Sequence, residues 1–249
     1  MEKILVSGGA GYIGSHTAIA LLKAGYRPIV LDSLVTGHRA AVSEDIPFYL
    51  GDIADERLVS DIIEKEGISA VIHFAARSLV GESMQKPDIY FEENMVKTNR
   101  FVRTLFQHGV NKIVFSSTAA VYGNPEAIPI EEDSKTEPIS PYGASKLMIE
   151  NSFYWLEQAY GLKWIALRYF NAAGAALDGS IGEDHTPETH LIPLVLKTAL
   201  GQREAIAIYG TDYNTPDGTC IRDYIHVLDL AEAHVGALAA LEEGIPSGA

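Results

Sequence analysis

The chain has 249 residues, 47% of them hydrophobic and 21% charged, which excludes a disordered, collagen-like or repeat-dominated protein. Its 33 acidic against 19 basic residues leave a net charge of −14, a surface that repels phosphate backbones and argues against nucleic-acid or anionic-membrane binding. Cys220 is the single cysteine; it forms no disulfide within the chain, and with no activating base in evidence it reads as a small packed residue.

The opening MEKILVSGG has only three consecutive apolar residues before its glycines, too few for a signal peptide, and no apolar run approaches the length of a membrane span. A soluble, cytoplasmic protein is expected. Ile4–Val6 reads as a strand, and the period of Ile13, Thr17, Ala20, Leu21 and Ala24 predicts a helix that Gly25 ends. Strands follow at Pro28–Asp32 and Pro47–Asp52, a helix at Asp55–Glu66 and a strand at Ala70–Ala76. A long helical stretch then runs to His108, before a fifth strand at Lys112–Ser117. Continuously apolar strands alternating with helices predict a doubly wound parallel α/β sheet of the Rossmann type. After a loop over Thr118–Pro141 come a helix at Gly143–Tyr160 and a strand at Lys163–Phe170. Beyond Asn171 the pattern loosens, with helices near Leu191–Leu200 and Leu228–Leu241 and no closing element over Glu243–Ala249. The division this suggests is a dinucleotide-binding domain over 1–170 and an incomplete smaller substrate lobe over 171–249.

Directly after the first strand stands SGGAGYIG, in which Gly8, Gly9, Gly11 and Gly14 satisfy both common spacings of a dinucleotide turn. Such a turn brings backbone against a ligand and points a helix N-terminus, with its unpaired N–H groups, at a pyrophosphate. The plain alternative is a tight strand–helix turn without ligand. Asp32, eighteen residues after Gly14 at the end of the second strand, can take the ribose hydroxyls of NAD, and Arg39 is the nearest basic group that could favour NADP instead.

Tyr142 and Lys146 share one helical face at i and i+4, the single Tyr-x-x-x-Lys of the chain. A phenol is a poor base at neutral pH; bringing its pKa down by about three units takes roughly 4 kcal/mol, which a neighbouring ammonium and a positive nicotinamide ring can supply in a water-poor site. The pair follows the hydroxyl cluster Ser116, Ser117 and Thr118 at the end of the fifth strand, where open α/β sheets collect ligands. An exposed tyrosine at a helix start is the alternative. The eight histidines show no metal-ligand spacing, so no metal is expected.

The stretches GGAGYIGSH, LDSLVTGH, VIHFAA, FSSTAAVYG, SPYGASKLMIE, LRYFNAAGA, GEDH, HLIPLVL and DGTCIRDYIHV closely resemble the extended short-chain dehydrogenase/reductase family, and within it the UDP-glucose (UDP-galactose) 4-epimerases. The resemblance implies an NAD-dependent isomerase of galactose metabolism that oxidises a UDP-sugar at C4 and returns the hydride to the opposite face. It implies that Tyr142 exchanges the proton of the 4-hydroxyl, that Lys146 holds the nicotinamide ribose, and that Thr118, or Ser117 if the alignment slips by one, relays the proton. It places Gly8, Gly11, Tyr12, Ile13, Gly14, Asp32, Asp52, Ile53, Phe74, Ala75, Ala76, Asn94 and Tyr169 at the cofactor. Asn171, His190, Leu191 and Arg222 match positions that contact the nucleotide-sugar. For the last of these a surface ion pair with Asp223 is the alternative, and for His190 a helix cap. A homodimer through helices around Asp88–His108 and Ser145–Tyr160 is a further implication.

Related 4,6-dehydratases carry acids immediately after the active-site threonine, where this chain has Ala119 and Ala120, so elimination is disfavoured. Where some epimerases have a lysine after the fourth strand, this chain has Arg77 and Ser78. Family members continue past residue 249, so the alternative to an active epimerase is a fragment that binds NAD without turnover and binds UDP weakly.

Overall fold

The computed structural model describes residues 1–249. Six parallel strands form its main sheet: β1 (Lys3–Ser7), β2 (Arg27–Asp32), β3 (Phe48–Leu50), β4 (Ala70–His73), β5 (Lys112–Ser116) and β6 (Lys163–Leu167), in the spatial order β3-β2-β1-β4-β5-β6. This is the order of a dinucleotide-binding sheet, with its reversal point between β1 and β4. Because successive residues of a strand face opposite ways, the strands feed two cores. Leu5, Leu31, Val71, Ile113 and Phe115 pack against Val59, Ile62, Phe101, Leu105, Ile149 and Phe153 of α2 (Glu56–Glu66), α5 (Lys97–Gln107) and α6 (Pro141–Tyr160). On the other face Ile4, Val6, Val30, Ile72 and Val114 meet Ala18 and Leu21 of α1 (Tyr12–Lys23) and Ala237, Leu238 and Leu241 of α8 (Val227–Glu242). Both faces are covered, as the apolar strands require.

α8 thus lies in the helical layer of the dinucleotide domain, although it falls within 171–249. What sits beyond β6 as a separate unit is small: β7 (Asn171–Ala173) pairs in parallel with β8 (Tyr224–His226), and α7 (Leu191–Ala199) lies between them in sequence. The expected lack of a closing element is corrected. Gly248 bridges to Ile165 on the free edge of β6, its carbonyl accepting from Ala166 N at 2.9 Å, because an unpaired strand edge offers a row of backbone groups.

β1 and β2 extend slightly beyond the spans expected from sequence, whereas β3, β4, β5 and β6 end short of theirs at the carboxyl side. β4 ends at His73, so Phe74–Ala76 leave the sheet; β3 ends at Leu50 and β6 at Leu167. The apolar residues beyond these points line a cleft at the carboxyl edge rather than continuing the ladder. The long helical stretch before β5 is also broken. α3 (Val80–Gln85) ends at Lys86, whose φ of −136° and ψ of 61° reflect the proline that follows it and opens α4 (Pro87–Tyr90). A π-helical turn over Phe91–Val96 then leads into α5. No helix is long and apolar enough to cross a membrane.

Candidate active site

A cleft of about 1780 Å³ opens at the carboxyl edge of the main sheet, on the side where the small sheet stands. At its floor the chain turns from β1 into α1 through Gly8–Gly11. Gly14 packs so closely on this turn that a Cβ would overlap the Gly8 carbonyl oxygen and lie 2.9 Å from Gly9 Cα. Gly14→Ala is expected to cost about 1–3 kcal/mol by forcing the turn apart, read as a lowered denaturant midpoint together with weakened NAD binding. No side chain caps α1 at Gly11, and its first turn carries no acid, so its N–H groups remain for a ligand anion. Asp32 ends β2 almost fully buried; its two carboxylate oxygens accept from Ala10 N (2.9 Å) and Leu34 N (2.8 Å), which fixes the carboxylate with lone pairs to spare for hydroxyls. Leu34 holds this contact in a left-handed conformation with φ of 57°. Arg39 stacks over Phe48 at 4.8 Å and donates to Val42 O at 2.7 Å, so the one basic group that could have favoured NADP is committed elsewhere. This cradle fits a dinucleotide whose ribose carries free hydroxyls.

The chemistry-bearing groups face this floor. Ser140 caps α6, accepting from Gly143 N at 3.2 Å, and Pro141 opens the first turn, so Tyr142 sits at the helix start. Gly143 lets that start press on the turn that carries Thr118: a Cβ there would lie 2.6 Å from Ala120 O. Thr118 in turn caps this segment through Ala120 N at 3.1 Å. Burial raises the Tyr142 pKa above the ordinary phenol value, and the Thr118 hydroxyl opposes the rise by hydrogen bonding. Lys146 is buried one turn on; its Nζ donates to Ser116 O at 2.8 Å and lies 4.8 Å over the Phe115 ring. Desolvation pulls its pKa down to about 7, against the opposing pull of Glu150. Tyr169 reaches the same place, its hydroxyl 2.6 Å from Ser116 Oγ.

Of the residues singled out in the sequence, Gly8, Gly11, Tyr12, Ile13, Gly14, Asp32, Asp52, Ile53, Phe74, Ala75, Ala76, Thr118, Tyr142, Lys146, Tyr169, Asn171, His190 and Arg222 line this one cleft. Asn94 and Leu191 are outside its lining. Asn94 is fully buried in the π-helical turn, where it accepts from Arg77 N (2.8 Å) and donates to Arg77 O and Ser145 Oγ. It therefore holds the Ala76–Arg77 backbone against α6. Leu191 is half exposed at the first position of α7. Ser117 faces away from the cleft and hydrogen-bonds the buried Glu150. Cys220 is only half-buried, short of the packed position expected.

His190 occupies the cap position of α7, but its ring makes no capping bond. It turns to Glu183 and Glu188 at 2.9 Å each, and the Glu183 bond raises its pKa despite the opposing effect of burial. Arg222 pairs with no carboxylate; its Nη1 donates to Ile221 O at 2.8 Å, and Asn171 Nδ2 pins the neighbouring Asp223 O at 2.8 Å. The segment carrying Arg222 is thereby tied to β7, with the guanidinium at the cleft.

Sequence reading missed three features. His73, buried under Lys146, bonds Ser7 Oγ (2.6 Å) and Thr98 Oγ1 (2.9 Å), and desolvation lowers its pKa to about 3, keeping it neutral. Glu150, one turn beyond Lys146, is an acid on a face already committed to burial, a signal that i+4 spacing could have given. The third is the gathering of Glu183, His185, Glu188 and His190, whose ligand atoms all lie within 4.8 Å of one another, against the absence of metal-ligand spacing read from the histidines alone.

Among known proteins, the chain matches the NAD dependent epimerase/dehydratase family over residues 4–248. It is 57% identical over 245 residues to the UDP-glucose 4-epimerase of Halalkalibacterium halodurans, spanning 98% of this chain and 73% of that protein. The crystal structure of the Brucella ovis UDP-glucose 4-epimerase in complex with NAD superposes with a TM-score of 0.96 at 47% identity, covering 99% of this chain and 76% of that one. The Bifidobacterium longum UDP-glucose 4-epimerase in complex with NAD+ and UDP gives 0.92 at 39% identity, covering 99% and 76%. Strand order, glycine cradle, Tyr–Lys pair and near-full-length similarity agree, and the chain belongs to the NAD dependent epimerase/dehydratase family.

Proposed function

We propose that the protein interconverts UDP-glucose and UDP-galactose by transient oxidation at C4. The observation that carries the reading is the convergence of Tyr142, Lys146 and Thr118 on the cleft that the glycine turn and Asp32 floor. The 57% identity to a UDP-glucose 4-epimerase and the alanines at 119 and 120, which offer no acid for elimination, support epimerisation over dehydration.

Gly8, Gly11, Tyr12, Ile13 and Gly14 with Asp32 would hold NAD, which supplies a reversible hydride acceptor when bound. Tyr142 takes the 4-hydroxyl proton from the sugar and later returns it to the 4-keto oxygen. Thr118 relays that proton from its bond to the phenol. Lys146, anchored on Ser116 O, keeps positive charge beside the developing phenolate and orients the ribose. Because oxidation and reduction use the same groups in reverse, the stereochemistry changes only if the keto sugar turns within the cleft, which its large volume permits. Arg222 and Asn171 hold the diphosphate end, so the sugar can turn without leaving. The reading carries with it a cytoplasmic place of work. It also carries a homodimer, for which the exposed Tyr154 and Trp155 on α6 offer apolar surface.

The test is the conversion of UDP-galactose to UDP-glucose by the purified chain, followed by a coupled dehydrogenase. Turnover is expected; a chain that retains NAD and leaves UDP-galactose unchanged would overturn the reading. Arg222→Ala is expected to raise KM for the UDP-sugar by about 10–100-fold with kcat little changed, the loss of a charge-assisted bond of roughly 1.5–3 kcal/mol made equally in ground and transition states.

A further inference from the structure

Between the small sheet and α7, the segment 182–190 folds four side chains into one cluster. Glu183 and Glu188 are deeply buried, with side chains 8% and 4% exposed. His190 Nδ1 lies 2.9 Å from an oxygen of each. His185 Nδ1 lies 3.3 Å from Glu183 Oε1 and 3.8 Å from Glu188 Oε2, yet it is buried and makes no hydrogen bond. An imidazole Nδ1 carries one proton at most, so the single contact atom of His190 cannot serve both carboxylates at full strength. Two adjacent buried carboxylates and an orphaned, inward-facing imidazole nitrogen call for a compact positive charge between them.

The distances fit one. Ligand atoms at about 2.0–2.1 Å from a tetrahedral metal stand about 3.3 Å apart, and the four contacts above run from 2.9 to 3.8 Å. Two imidazoles with two carboxylates form a donor set suited to zinc-class ions, whereas magnesium and calcium prefer all-oxygen shells. We propose that Glu183, His185, Glu188 and His190 bind a divalent transition cation of the zinc class as a structural site. Four protein ligands close a tetrahedral shell, so the ion would stabilise the fold rather than activate a water.

The placement gives the site a consequence for the cleft. His185 lies edge-on to Tyr12 of the glycine turn, ring centres 6.1 Å apart, and Tyr12 donates to Gly174 O at 2.6 Å. His38 reaches Asp184 O at 3.2 Å. A cation would lock the cleft wall formed by Glu183, His185 and His190 against the dinucleotide floor, independently of which sugar the protein processes.

The experiment uses the full chain after dialysis against a chelator, titrated with Co²⁺ and then with Zn²⁺. The expected result is tetrahedral cobalt absorption that saturates at one equivalent and is displaced by Zn²⁺, with thermal stability rising on binding. His185→Ala and Glu188→Gln are each expected to weaken Zn²⁺ binding by at least about tenfold while binding NAD as a fold control. Absence of a saturable one-equivalent cobalt signal in NAD-competent protein, or unchanged Zn²⁺ affinity in both variants, would overturn the proposal.

Discussion

Tyr142→Phe is expected to lower kcat by about 10²–10⁴-fold, the range that a positioned acid–base group supplies, while NAD binding stays within a few-fold of the parent. The substitution removes one oxygen and keeps the ring, whose edge-on approach to Tyr90 at 6.5 Å is unaffected. No backbone or capping bond depends on the hydroxyl, because Ser140 and Pro141 start the helix. What disappears is the phenol that the proposed reaction uses as its proton acceptor, in hydrogen-bonding reach of Thr118. Burial holds this phenol above its ordinary pKa and pulls Lys146 down to about 7. Burial thus opposes the charged form of each group, the phenolate of Tyr142 and the ammonium of Lys146. The readout is reduction of bound NAD by UDP-sugar, which the variant should fail to show at any pH. Turnover within tenfold of the parent would move the base to Thr118 or to a water.

Most of the dinucleotide domain is legible in the sequence because its signals are local. The glycine turn, the acid ending β2 and the Tyr–Lys pair each depend on spacings within one or two elements, and the strand alternation fixes which residues meet which helical layer. The overreach lies at the carboxyl ends of strands, where Phe74–Ala76 and Tyr169–Phe170 are apolar or aromatic enough to read as strand but serve as cleft wall. Hydrophobic pattern does not distinguish a residue buried under a helix from one reserved for a ligand. Asn94, which resemblance places at the cofactor, is buried in the π-helical turn and bonds Arg77 and Ser145, contacts between elements that no local spacing encodes. The His–Glu cluster escaped because its ligands alternate by type over eight residues, and no two histidines stand at helical spacing. α8 falls within 171–249 yet packs on α1, a contact between the two ends of the chain that no local pattern encodes.

Glu150→Gln is expected to destabilise the protein by about 3–5 kcal/mol, the cost of leaving one member of a buried ion pair without its partner. The carboxylate is 3% exposed, and its pairing is bidentate: Arg168 Nε stands 3.1–3.2 Å from the two oxygens and Nη2 at 2.5 Å from Oε2. Arg168, 14% exposed in its side chain, has as its other acceptors only Tyr122 Oη and Glu132 O, and its plane lies 5.1 Å over the Tyr122 ring. A neutral amide in place of the carboxylate leaves that guanidinium charge uncompensated in the same surroundings. The effect extends to catalysis. Tyr142, Lys146 and Glu150 recur every four residues along α6, and Glu150 also accepts from Ser117, the neighbour of Thr118. This bond fastens the segment after β5 to the helix that carries Tyr142; glutamine has a single oxygen to share between Ser117 and Arg168, so the substitution weakens it and loosens the spacing between Thr118 and Tyr142. The variant should therefore show both a lowered denaturant midpoint and a kcat reduced at temperatures where it remains folded. Replacing both partners, Glu150→Met with Arg168→Met, should recover much of the stability, because the apolar pair leaves no buried charge. The same pair should not recover kcat, because methionine offers Ser117 no oxygen acceptor. Full recovery of both would show that Glu150 serves only to neutralise Arg168 and has no part in placing Thr118.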